Sequence, residues 1–455
     1  MLRVILTALT VTRAGDGLPV KPPTDVGMSS TRLEAIERVV ARGIKAGGYP
    51  GAAVVVGRNG AAVMEKGFGR LSWVPTSAAV DAQQTIYDVA SLTKVVGTTA
   101  AVMILFDEKK IDLDERVVSY LPTFSGGEKN QVTIRQLLTH TSGLPAGRNI
   151  WRITSSPLEA RAAVVASSLE ARPGSRYIYS DLGADLLGLV VEVVSGEPLD
   201  KFLDRRVFAP LGMNNTFFRP ADSLRYRVAP TEVTPPRGYP LRGEVHDENA
   251  YALGGVAGHA GLFSTAADLS VFAQMLLNGG EYNGVQIISR PTVELFTSRS
   301  VGHRALGWDT AEGDYGSGRY LGPKAYGHTG FTGTSMWIDP ERQMFVILLT
   351  NRVHAARALR PAKVISDVRA DLSDAAVLAV LDGPQVAGGK KTFRADREVG
   401  WNPAPRRVSK RRLASSRRQT IARASKSRVT SAKKKATSSK TTRAKKPVKK
   451  TTKKT

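Results

Sequence analysis

The amino-acid sequence predicts an α/β fold of the α+β sandwich type. One antiparallel sheet is built from both chain ends and flanked by helices, and a mostly helical lobe is inserted. Two predicted strand pairs near opposite ends of the chain indicate the sheet, Ala52–Gly57 with Ala61–Gly67 and Ser335–Ile338 with Met344–Asn351. Helical patterns fill the middle of the chain, at 91–110, 133–139, 158–170, 182–195 and 266–278. Strands so distant in the chain can share a sheet when the intervening helices form a lobe beside it.

Local signals mark the boundaries of the first and last elements. Apolar residues repeat on one face of Ser30–Ala46, which predicts an amphipathic helix. Thr31 and Glu34 have the spacing of a capping box at its start. Asn59-Gly60 lies between two apolar runs and is typical of a two-residue hairpin turn. The pattern of Pro361–Leu381 predicts a closing helix.

The positive charge of the chain is concentrated at its C-terminal end. The 455 residues carry a net charge of +25, and 25 of the 65 Lys and Arg but only 2 of the 40 acidic residues lie in 390–455. Residues 1–389 therefore hold 40 basic and 38 acidic groups, so the body is nearly neutral. A segment dominated by Lys, Arg, Ser, Thr and Ala buries too little apolar surface to fold, which predicts a disordered basic tail over 386–455. An anionic envelope polymer, a membrane surface or nucleic acid would suit such a tail as partner.

The N-terminal segment resembles a weak export signal. Arg3 precedes the apolar stretch Val4–Val11, which is at the short end for the hydrophobic region of a signal peptide. A Pro-rich linker follows. We therefore assign residues 1–28 to a signal and linker and residues 29–385 to a single folded domain. This interpretation favours a periplasmic or otherwise exported protein, with a cytoplasmic location as the alternative.

Ser91-Leu92-Thr93-Lys94 brings a hydroxyl and an amine together at the start of a predicted helix. The chain has no cysteine, which excludes a thiol nucleophile and thiolate-bound metals. Residues i and i+3 are neighbours on a helix, so Lys94 can reach the Ser91 hydroxyl. A serine needs such a base because its hydroxyl is a weak nucleophile. The same spacing occurs at Ser431 in the tail, so this motif alone favours a capping serine with a surface lysine.

Two later segments bear on the choice between a capping and a catalytic role for Ser91. Tyr179 and Asp181 flank a turn before a predicted helix, where the pair alone would indicate a packed ring and a helix cap. Gly327-His328-Thr329-Gly330-Phe331 lies on a strand or at its entry, where glycines permit close approach of a ligand to the backbone. Alone, this third segment would indicate a bend in the strand.

In this order, the three segments resemble the serine beta-lactamase and penicillin-binding-protein superfamily, in particular its class C-like branch. The pattern of that branch is S-x-x-K, then Tyr-x-Asn, then Lys- or His-Thr-Gly. Further stretches resemble the same branch, namely Leu137–Leu144, Pro210–Met213, Gly254–Thr265 and Trp337–Pro340. The resemblance spans roughly Leu33–Leu381 and includes nothing in the tail. It implies a serine acyl-hydrolase that uses no metal or other cofactor and acts on D-alanyl peptides, beta-lactams or small esters.

The resemblance also implies a role for individual residues. Ser91 would be the acylated nucleophile, Lys94 would take or relay its proton, and Tyr179 would serve the leaving group as acid and base. The residues implied in substrate binding are Asp181, His328, Thr329, Gly330 and Phe331. The backbone N–H groups of Ser91 and Phe331 would form the oxyanion hole.

Two residues depart from the usual pattern of the branch. Asp181 stands where Asn is usual, and a carboxylate near Lys94 favours its ammonium form, which shifts the role of base towards Tyr179. His328 stands where Lys is commoner, and an imidazole that is mostly neutral at pH 7 attracts a substrate carboxylate less strongly. These departures weaken the case for an efficient beta-lactamase. They leave a carboxypeptidase, an esterase or a D-amino-acid amidase open.

Alternatives from other classes also remain at this stage. The chain could be a weakly catalytic or non-catalytic envelope protein that binds peptidoglycan and is anchored by its basic tail, or a DNA-associated protein. His246-Asp247-Glu248 and His259 match no zinc-binding spacing. We therefore expect no metal there and favour hydrogen bonding between loops near the wall of the active site.

Overall fold

A six-stranded antiparallel sheet assembled from both ends of the chain organises the fold. The structure is a computed structural model that describes residues 17–311, 316–354, 361–384, 386 and 392–402. The strands are β1 Gly51–Arg58, β2 Ala61–Gly69, β3 Tyr87–Asp88, β4 Phe217–Phe218, β5 Leu262–Ser264, β6 Glu281–Tyr282, β7 Val285–Gln286, β8 Asp309–Thr310, β9 Tyr326–Thr329, β10 Ser335–Asp339 and β11 Met344–Thr350. The large sheet has the order β2-β1-β11-β10-β9-β8, and two small sheets have the orders β3-β5-β4 and β6-β7. The predicted sheet is thus confirmed.

Helices cover the sheet and build the inserted lobe. The α-helices are α1 Ser30–Lys45, α2 Ala100–Asp107, α3 Val117–Tyr120, α4 Ile134–Leu138, α5 Pro157–Val165, α6 Asp181–Ser195, α7 Leu199–Leu203, α8 Glu248–Ala252, α9 Ala266–Leu277, α10 Arg290–Thr297 and α11 Lys363–Ala379. Shorter 3-10 helices are Pro23–Val26, Ala90–Leu92, Gly127–Gln131, Ile150–Arg152 and Asp222–Arg227, and π-helical turns are Lys94–Thr99 and Asp204–Phe208. The helical lobe inserted between β2 and β8 matches the prediction.

The alternation of side chains along β1 explains why the sheet is covered on both faces. Ala53 and Val55 belong to the core that the helical lobe shares, and Val54 and Val56 belong to a second core formed with α1 and α11. Successive side chains of a strand point to opposite faces, so an uninterrupted apolar strand is buried between two layers. The turn after β1 has Asn59 at φ 48° and Gly60 at φ 80°, as the predicted hairpin requires.

The helix α1 begins at Ser30 as predicted, but its N-cap differs from the prediction. Ser29 is the N-cap, and its hydroxyl accepts a hydrogen bond from the Arg32 backbone N–H at 3.3 Å. The capping box expected from Thr31 and Glu34 is therefore wrong, because the helix already begins at Ser30 and both residues lie inside it.

The central helix, Ala90–Asp107, combines three helical geometries in one continuous run. It is long and apolar enough to span a membrane by composition, and 83% of it is buried inside the fold. Its apolar surface is matched by the surrounding lobe and sheet, so this segment is the core helix of the protein.

Described residues on both sides of the predicted domain, 29–385, also pack on the folded body. Leu18 is buried, and the backbone of Lys21 donates to the Ala62 carbonyl. At the other end, residues 392–402, here called the strap, pack on α11 with Phe393 and Trp401 buried. Residues 1–16 of the predicted signal and residues 387–391 and 403–455 of the predicted tail lie outside the described residues, so export and the tail's partner stay predictions.

The strap is held by charges as well as by apolar contacts. The Arg394 guanidinium lies 3.1 Å from Asp371 and 2.9 Å from Asp374, two carboxylates of α11 that are almost fully buried. The Trp401 indole N–H donates to Asp367 at 2.9 Å. Composition did not reveal the strap, since it begins within the run of basic residues.

Candidate active site

Ser91 and Lys94 meet at the beginning of the central helix, as their spacing predicts. The Lys94 ammonium donates to the Ser91 hydroxyl at 3.0 Å and to the His259 carbonyl at 3.1 Å. Its side chain is only 4% exposed. A buried cation therefore lies within hydrogen-bonding distance of a partly exposed hydroxyl.

The backbone just before Ser91 is held in an unusual conformation. Ala90 has φ 48°, in the left-handed region that residues with a side chain seldom adopt. The buried Asp88 carboxylate accepts from the Ala90 N–H at 2.8 Å and from the His246 N–H at 2.7 Å. Asp88 thus ties the nucleophile segment to a distant loop. This positioning residue was not predicted, although an acid three positions before the candidate nucleophile is a usable signal in the sequence.

Asp181 forms an ion pair with Lys94. Their Oδ1 and Nζ atoms are 2.8 Å apart. Burial by itself lowers the pKa of Lys94, but the Asp181 carboxylate and the hydrogen-bonded Tyr179 phenol outweigh burial and hold this pKa above its ordinary value. Lys94 is therefore an ammonium at neutral pH, in agreement with the charge argument made from the sequence.

Tyr179 lies across the cleft from Ser91, among cations and imidazole rings. The Lys94 Nζ is 5.0 Å from the centroid of its ring, the Arg304 guanidinium is 5.9 Å away, and the His328 ring centroid is also 5.9 Å away. The ring of His140 is closer, at 4.6 Å. The first two motifs are thus brought together around one ammonium group.

His140 positions the turn that carries Tyr179. Its Nδ1 accepts from the Ser180 N–H at 3.1 Å, and its carbonyl accepts from the Ile178 N–H at 2.8 Å. Burial, followed by nearby cations, lowers the pKa of His140 well below its usual range. A neutral ring that accepts at Nδ1 carries its proton on Nε2. These contacts give His140 a structural role beside the site.

His328 lies on β9 with one ring nitrogen satisfied and the other facing the cleft. Its Nδ1–H donates to the Thr329 carbonyl at 2.8 Å. Its Nε2 is buried, 3.9 Å from the Asp309 carboxylate, and has no hydrogen-bond partner among the described residues. Burial lowers the pKa of His328 to about 4, although Asp309 opposes the shift. His328 is therefore neutral at pH 7, as expected.

Gly330 brings the third motif onto the nucleophile segment. A Cβ at Gly330 would lie 2.4 Å from the Val89 carbonyl oxygen, so a larger residue would force the two segments apart. The hydroxyls of Thr332 and Thr334 reinforce the contact by donating to the carbonyls of Asp88 and Val89. The sequence suggested that this glycine lets a ligand come close to the backbone. In the structure, Gly330 instead lets two segments of the protein pack closely against each other.

The cleft has two halves that share Ser91, Tyr179 and Phe331. One is a cavity of about 400 Å3, here called the arginine half, whose walls include Arg304, Arg352 and Arg369 together with His328 and Thr329. The other is a cavity of about 240 Å3, here called the carboxylate half, whose walls include Asp181, Asp247 and Glu248. Ser91 therefore lies where the charge of the cleft changes sign.

His259 neutralises part of the carboxylate half. Its Nδ1 lies 2.7 Å from Asp185 and its Nε2 lies 2.9 Å from Asp247. Although burial opposes it, these two carboxylates raise the pKa of His259 well above its usual range. The histidine and its neighbours thus form the network of loop hydrogen bonds favoured from the sequence. Within the described part of the chain, no three such side chains are grouped as metal ligands would be.

Known proteins similar to this chain share one family. Residues 36–369 match the sequence model of the family described as "Beta-lactamase". A "Putative D-alanyl-D-alanine carboxypeptidase" of Escherichia coli (strain K12) is 32% identical over 403 residues, which cover 78% of this chain and 91% of that relative. A relative of the same name from Salmonella typhimurium is 34% identical over 373 residues, covering 73% and 85%.

Solved structures show the same fold at lower sequence identity. EstCE1, described as a hydrolase with promiscuous acyltransferase activity, superimposes with a TM-score of 0.61 at 21% identity, covering 76% of this chain and 99% of its own. The octameric penicillin-binding protein homologue from Pyrococcus abyssi has a TM-score of 0.57 at 23% identity, covering 70% and 73%. The fold is therefore that of the penicillin-binding and beta-lactamase-like hydrolases.

The chain belongs to the beta-lactamase family. The family match spans most of the folded body, which confirms the resemblance seen in the three motifs. Members of this fold family are generally hydrolases, and the structure brings Ser91, Lys94 and Tyr179 together in one cleft.

Proposed function

We propose that this protein is a serine carboxypeptidase that removes the C-terminal residue from D-alanyl peptides through an acyl-Ser91 intermediate. The names of its relatives in Escherichia coli and Salmonella typhimurium point to this substrate class. The observation that carries the proposal is the arginine half of the cleft, since a carboxypeptidase must recognise a free carboxylate beside the bond that it breaks.

The arginine half is suited to a carboxylate because its cations are close together. Burial, reinforced by the neighbouring Arg352, lowers the pKa of Arg369 to about 9. The Arg369 guanidinium donates to the carbonyls of Gly330 and Thr334, its Nε has no hydrogen-bond partner among the described residues, and no carboxylate there pairs with it. An anion placed there would relieve the repulsion between like charges. The substrate would then lie with its terminal carboxylate in the arginine half and its acyl portion in the carboxylate half.

The reaction would begin when Ser91 Oγ attacks the carbonyl carbon of the scissile amide. Asp181 keeps the proton on Lys94, so Tyr179 would react as a phenolate beside the Lys94 ammonium and accept the Ser91 proton. The C–N bond then breaks, and Tyr179 returns that proton to the leaving nitrogen. Backbone N–H groups of Ser91 and Phe331 would stabilise the oxyanion. Water then attacks the acyl-Ser91 ester and gives its proton to the Tyr179 oxygen. The bond between the acyl carbon and Ser91 Oγ breaks, Tyr179 returns the proton to Oγ, and the shortened peptide leaves as its carboxylic acid.

The test is the mass of the intact full-length chain during incubation with a fluorescent penicillin, together with D-alanine release from an N-acylated D-alanyl-D-alanine peptide. We expect a penicillin adduct on Ser91 and release of D-alanine. Ser91→Ala should abolish both. Ser431→Ala is the matched control, because it removes the serine of the other S-x-x-K sequence, and it should change neither.

Other outcomes would contradict the proposal in distinct ways. Rapid penicillin hydrolysis without D-alanine release would identify a beta-lactamase. Turnover of small esters or D-amino-acid amides alone would identify an esterase or amidase. Peptidoglycan binding without acylation of Ser91 would identify a non-catalytic envelope protein.

A further inference from the structure

A cavity of about 790 Å3, here called the second cavity, lies outside the catalytic cleft. It is larger than either half of the cleft, whose volumes are about 400 and 240 Å3. The three motifs contribute no residue to its lining, so the proposed reaction leaves this cavity without a role. Sites for small molecules commonly have volumes of roughly 300 to 1,000 Å3. The second cavity is therefore large enough to hold such a ligand.

The apolar part of the lining consists mainly of rings. These are the aromatic residues Trp151, Tyr239, Tyr251 and Phe263 and the prolines Pro157, Pro220 and Pro236. The described residues that line the cavity include no Leu, Ile or Met. Aromatic rings pack on one another in offset or edge-to-face arrangements. The lining therefore favours a flat aromatic ligand over a flexible alkyl chain.

Two of the aromatic rings are held in place by guanidinium groups. The Arg237 guanidinium lies 4.4 Å from the centroid of the Tyr251 ring, and the Arg237 side chain is only 1% exposed. The Arg152 guanidinium lies 4.7 Å from the centroid of the Trp151 ring. A cation that covers one face of a ring leaves the other face and the edge for a ligand. Trp151 and Tyr251 are thus two fixed rings against which a third ring can pack.

The charges of the lining leave one positive charge unbalanced. Arg219 forms an ion pair with Asp200, and Glu244 lies 3.4 Å from the Arg237 guanidinium. These two partners lie outside the lining and balance those two charges. The charged residues of the lining that remain are Arg225, Arg242 and Asp222. Two guanidinium groups against one carboxylate favour a ligand with a single negative charge.

The two remaining arginines lie next to each other. The Arg242 guanidinium donates to the carbonyls of Val228 and Tyr226, and burial followed by repulsion from Arg225 lowers its pKa. The Arg225 Nε donates to the Arg242 carbonyl at 3.0 Å, and the Asp222 carboxylate lies 3.8 Å from the Arg225 guanidinium. In the part of the chain that the structure describes, no carboxylate pairs with Arg242. A bound carboxylate would relieve the repulsion and accept charge-assisted hydrogen bonds from both guanidinium groups.

We propose that the second cavity is a binding site for a small aromatic compound that carries one carboxylate. The aromatic ring of the ligand packs against Trp151 and Tyr251, and its carboxylate lies beside Arg225 and Arg242. This inference goes beyond the proposed function and does not depend on it, because the cavity contains no residue of the three motifs.

The test measures binding of three matched probes to the full-length protein by calorimetry or by ligand-observed NMR. Naphthalene-2-carboxylate has both the rings and the charge, naphthalene-2-carboxamide lacks the charge, and decahydronaphthalene-2-carboxylate lacks the aromatic rings. We expect the carboxamide to bind at least about tenfold more weakly than naphthalene-2-carboxylate. The saturated carboxylate should bind about threefold more weakly or worse. Equal affinities for the three probes, or no binding of naphthalene-2-carboxylate, would overturn the proposal.

Two variants of exposed residues locate the ligand. Tyr251→Leu keeps an apolar side chain but removes a ring, so it should weaken naphthalene-2-carboxylate and leave the saturated carboxylate unchanged. Arg225→Gln should weaken naphthalene-2-carboxylate and leave the carboxamide unchanged, whereas Arg225→Lys keeps the charge and should retain most of the affinity. Thermal unfolding checks that each variant is folded. Folded variants that bind all three probes like the wild type would show that the proposal is wrong.

Two further variants separate the second cavity from the catalytic cleft. Arg369→Gln removes a cation of the arginine half, which could also attract a carboxylate, and it should leave the affinity for naphthalene-2-carboxylate unchanged. Ser91→Ala should likewise bind this probe as the wild type does, so the result is independent of whether Ser91 is acylated. Loss of binding in Arg369→Gln but not in Arg225→Gln would place the ligand in the arginine half and overturn the inference.

Discussion

The two halves of the cleft differ in charge and in the part of the chain that builds them. The carboxylate half is built largely from the inserted lobe, through Asp181 and the 246–260 segment, and its partly exposed carboxylates Asp181 and Asp247 are paired with Lys94 and His259. The arginine half is built mainly from the C-terminal part of the sheet and from α11. Arg352 and Arg369 repel each other there, whereas Arg304 is paired with Asp309. Because of this difference, Ser91 lies in an electric field that points from the arginine half towards the carboxylate half. Such a field would orient a substrate that has a free carboxylate.

The two halves also depend on different supports. Arg369 lies on α11, and the same helix carries Asp367, Asp371 and Asp374, which hold the strap. The carboxylate half is instead held by hydrogen bonds between loops, such as those of Asp88 and His259. Damage to the strap should therefore affect the arginine half more than the carboxylate half.

Truncation should produce the largest effect. Removal of residues 390–455 deletes Arg394 and leaves the buried Asp371 and Asp374 without their cation, and breaking a buried ion pair in this way costs about 3 kcal/mol or more. Removal of residues 403–455 keeps the strap and should change the free energy of unfolding by less than about 0.5 kcal/mol. Denaturant unfolding of both truncated proteins checks this prediction. Equal stability of the two would show that the strap does not support α11.

Arg369→Gln should weaken the arginine half specifically. A charge-assisted hydrogen bond to the substrate carboxylate contributes about 1.5 to 3 kcal/mol, so kcat/KM for a peptide with a free carboxylate should fall about 10- to 100-fold. The same peptide with a C-terminal carboxamide is the control and should be turned over equally by both proteins. An equal loss for both substrates would indicate that Arg369 supports the fold of the cleft.

Asp181→Asn should lower the pKa of Lys94 and thereby change the pH dependence of kcat/KM. Without the carboxylate, burial lowers the pKa of Lys94 with less opposition. The basic limb of kcat/KM for a small ester should therefore move to lower pH by about one unit or more. Asp114→Asn removes an exposed partner of Arg135 and serves as control. An unchanged basic limb would show that Lys94 does not sense Asp181.

The smallest effect should come from protonation of His328. Its pKa is about 4 because of burial, so the KM of the carboxylated peptide should be flat between about pH 5.5 and 8. As the pH falls towards 4, the imidazolium adds a cation to the arginine half, and KM should decrease about twofold to threefold. His328→Gln should lack this decrease, and a titration near pH 6.5 in the wild type would contradict the assigned pKa.

Much of the fold could be predicted because its signals are local. The hairpin at Asn59-Gly60 follows from two residues that accept a positive φ, and the run of apolar residues in β1 follows from burial on both faces. The N-cap of α1 was misplaced by two residues because Ser29, Ser30 and Thr31 all have a hydroxyl that suits a helix cap. The strap was missed because three buried contacts, from Phe393, Arg394 and Trp401, outweigh a composition typical of disorder.

The candidate site likewise combines contacts that the sequence predicts with contacts that it does not. The i, i+3 spacing of Ser91 and Lys94 predicted their hydrogen bond, because both lie on one helix. The contacts of Asp88 and His140 could not be predicted, because each joins segments far apart in the chain. The arginine half could not be predicted either, since its three arginines come from separate elements and no motif contains them.

The sequence by itself determined the family, the order of the three motifs and the departures from the family pattern at Asp181 and His328. These features depend only on the identity of residues and on short distances along the chain. The tertiary structure decided the protonation of Lys94 and His328, the change of charge across Ser91, the second cavity and the true limits of the folded body. The physical reason is that burial and long-range contacts set pKa values and electric fields, and these depend on which distant residues become neighbours.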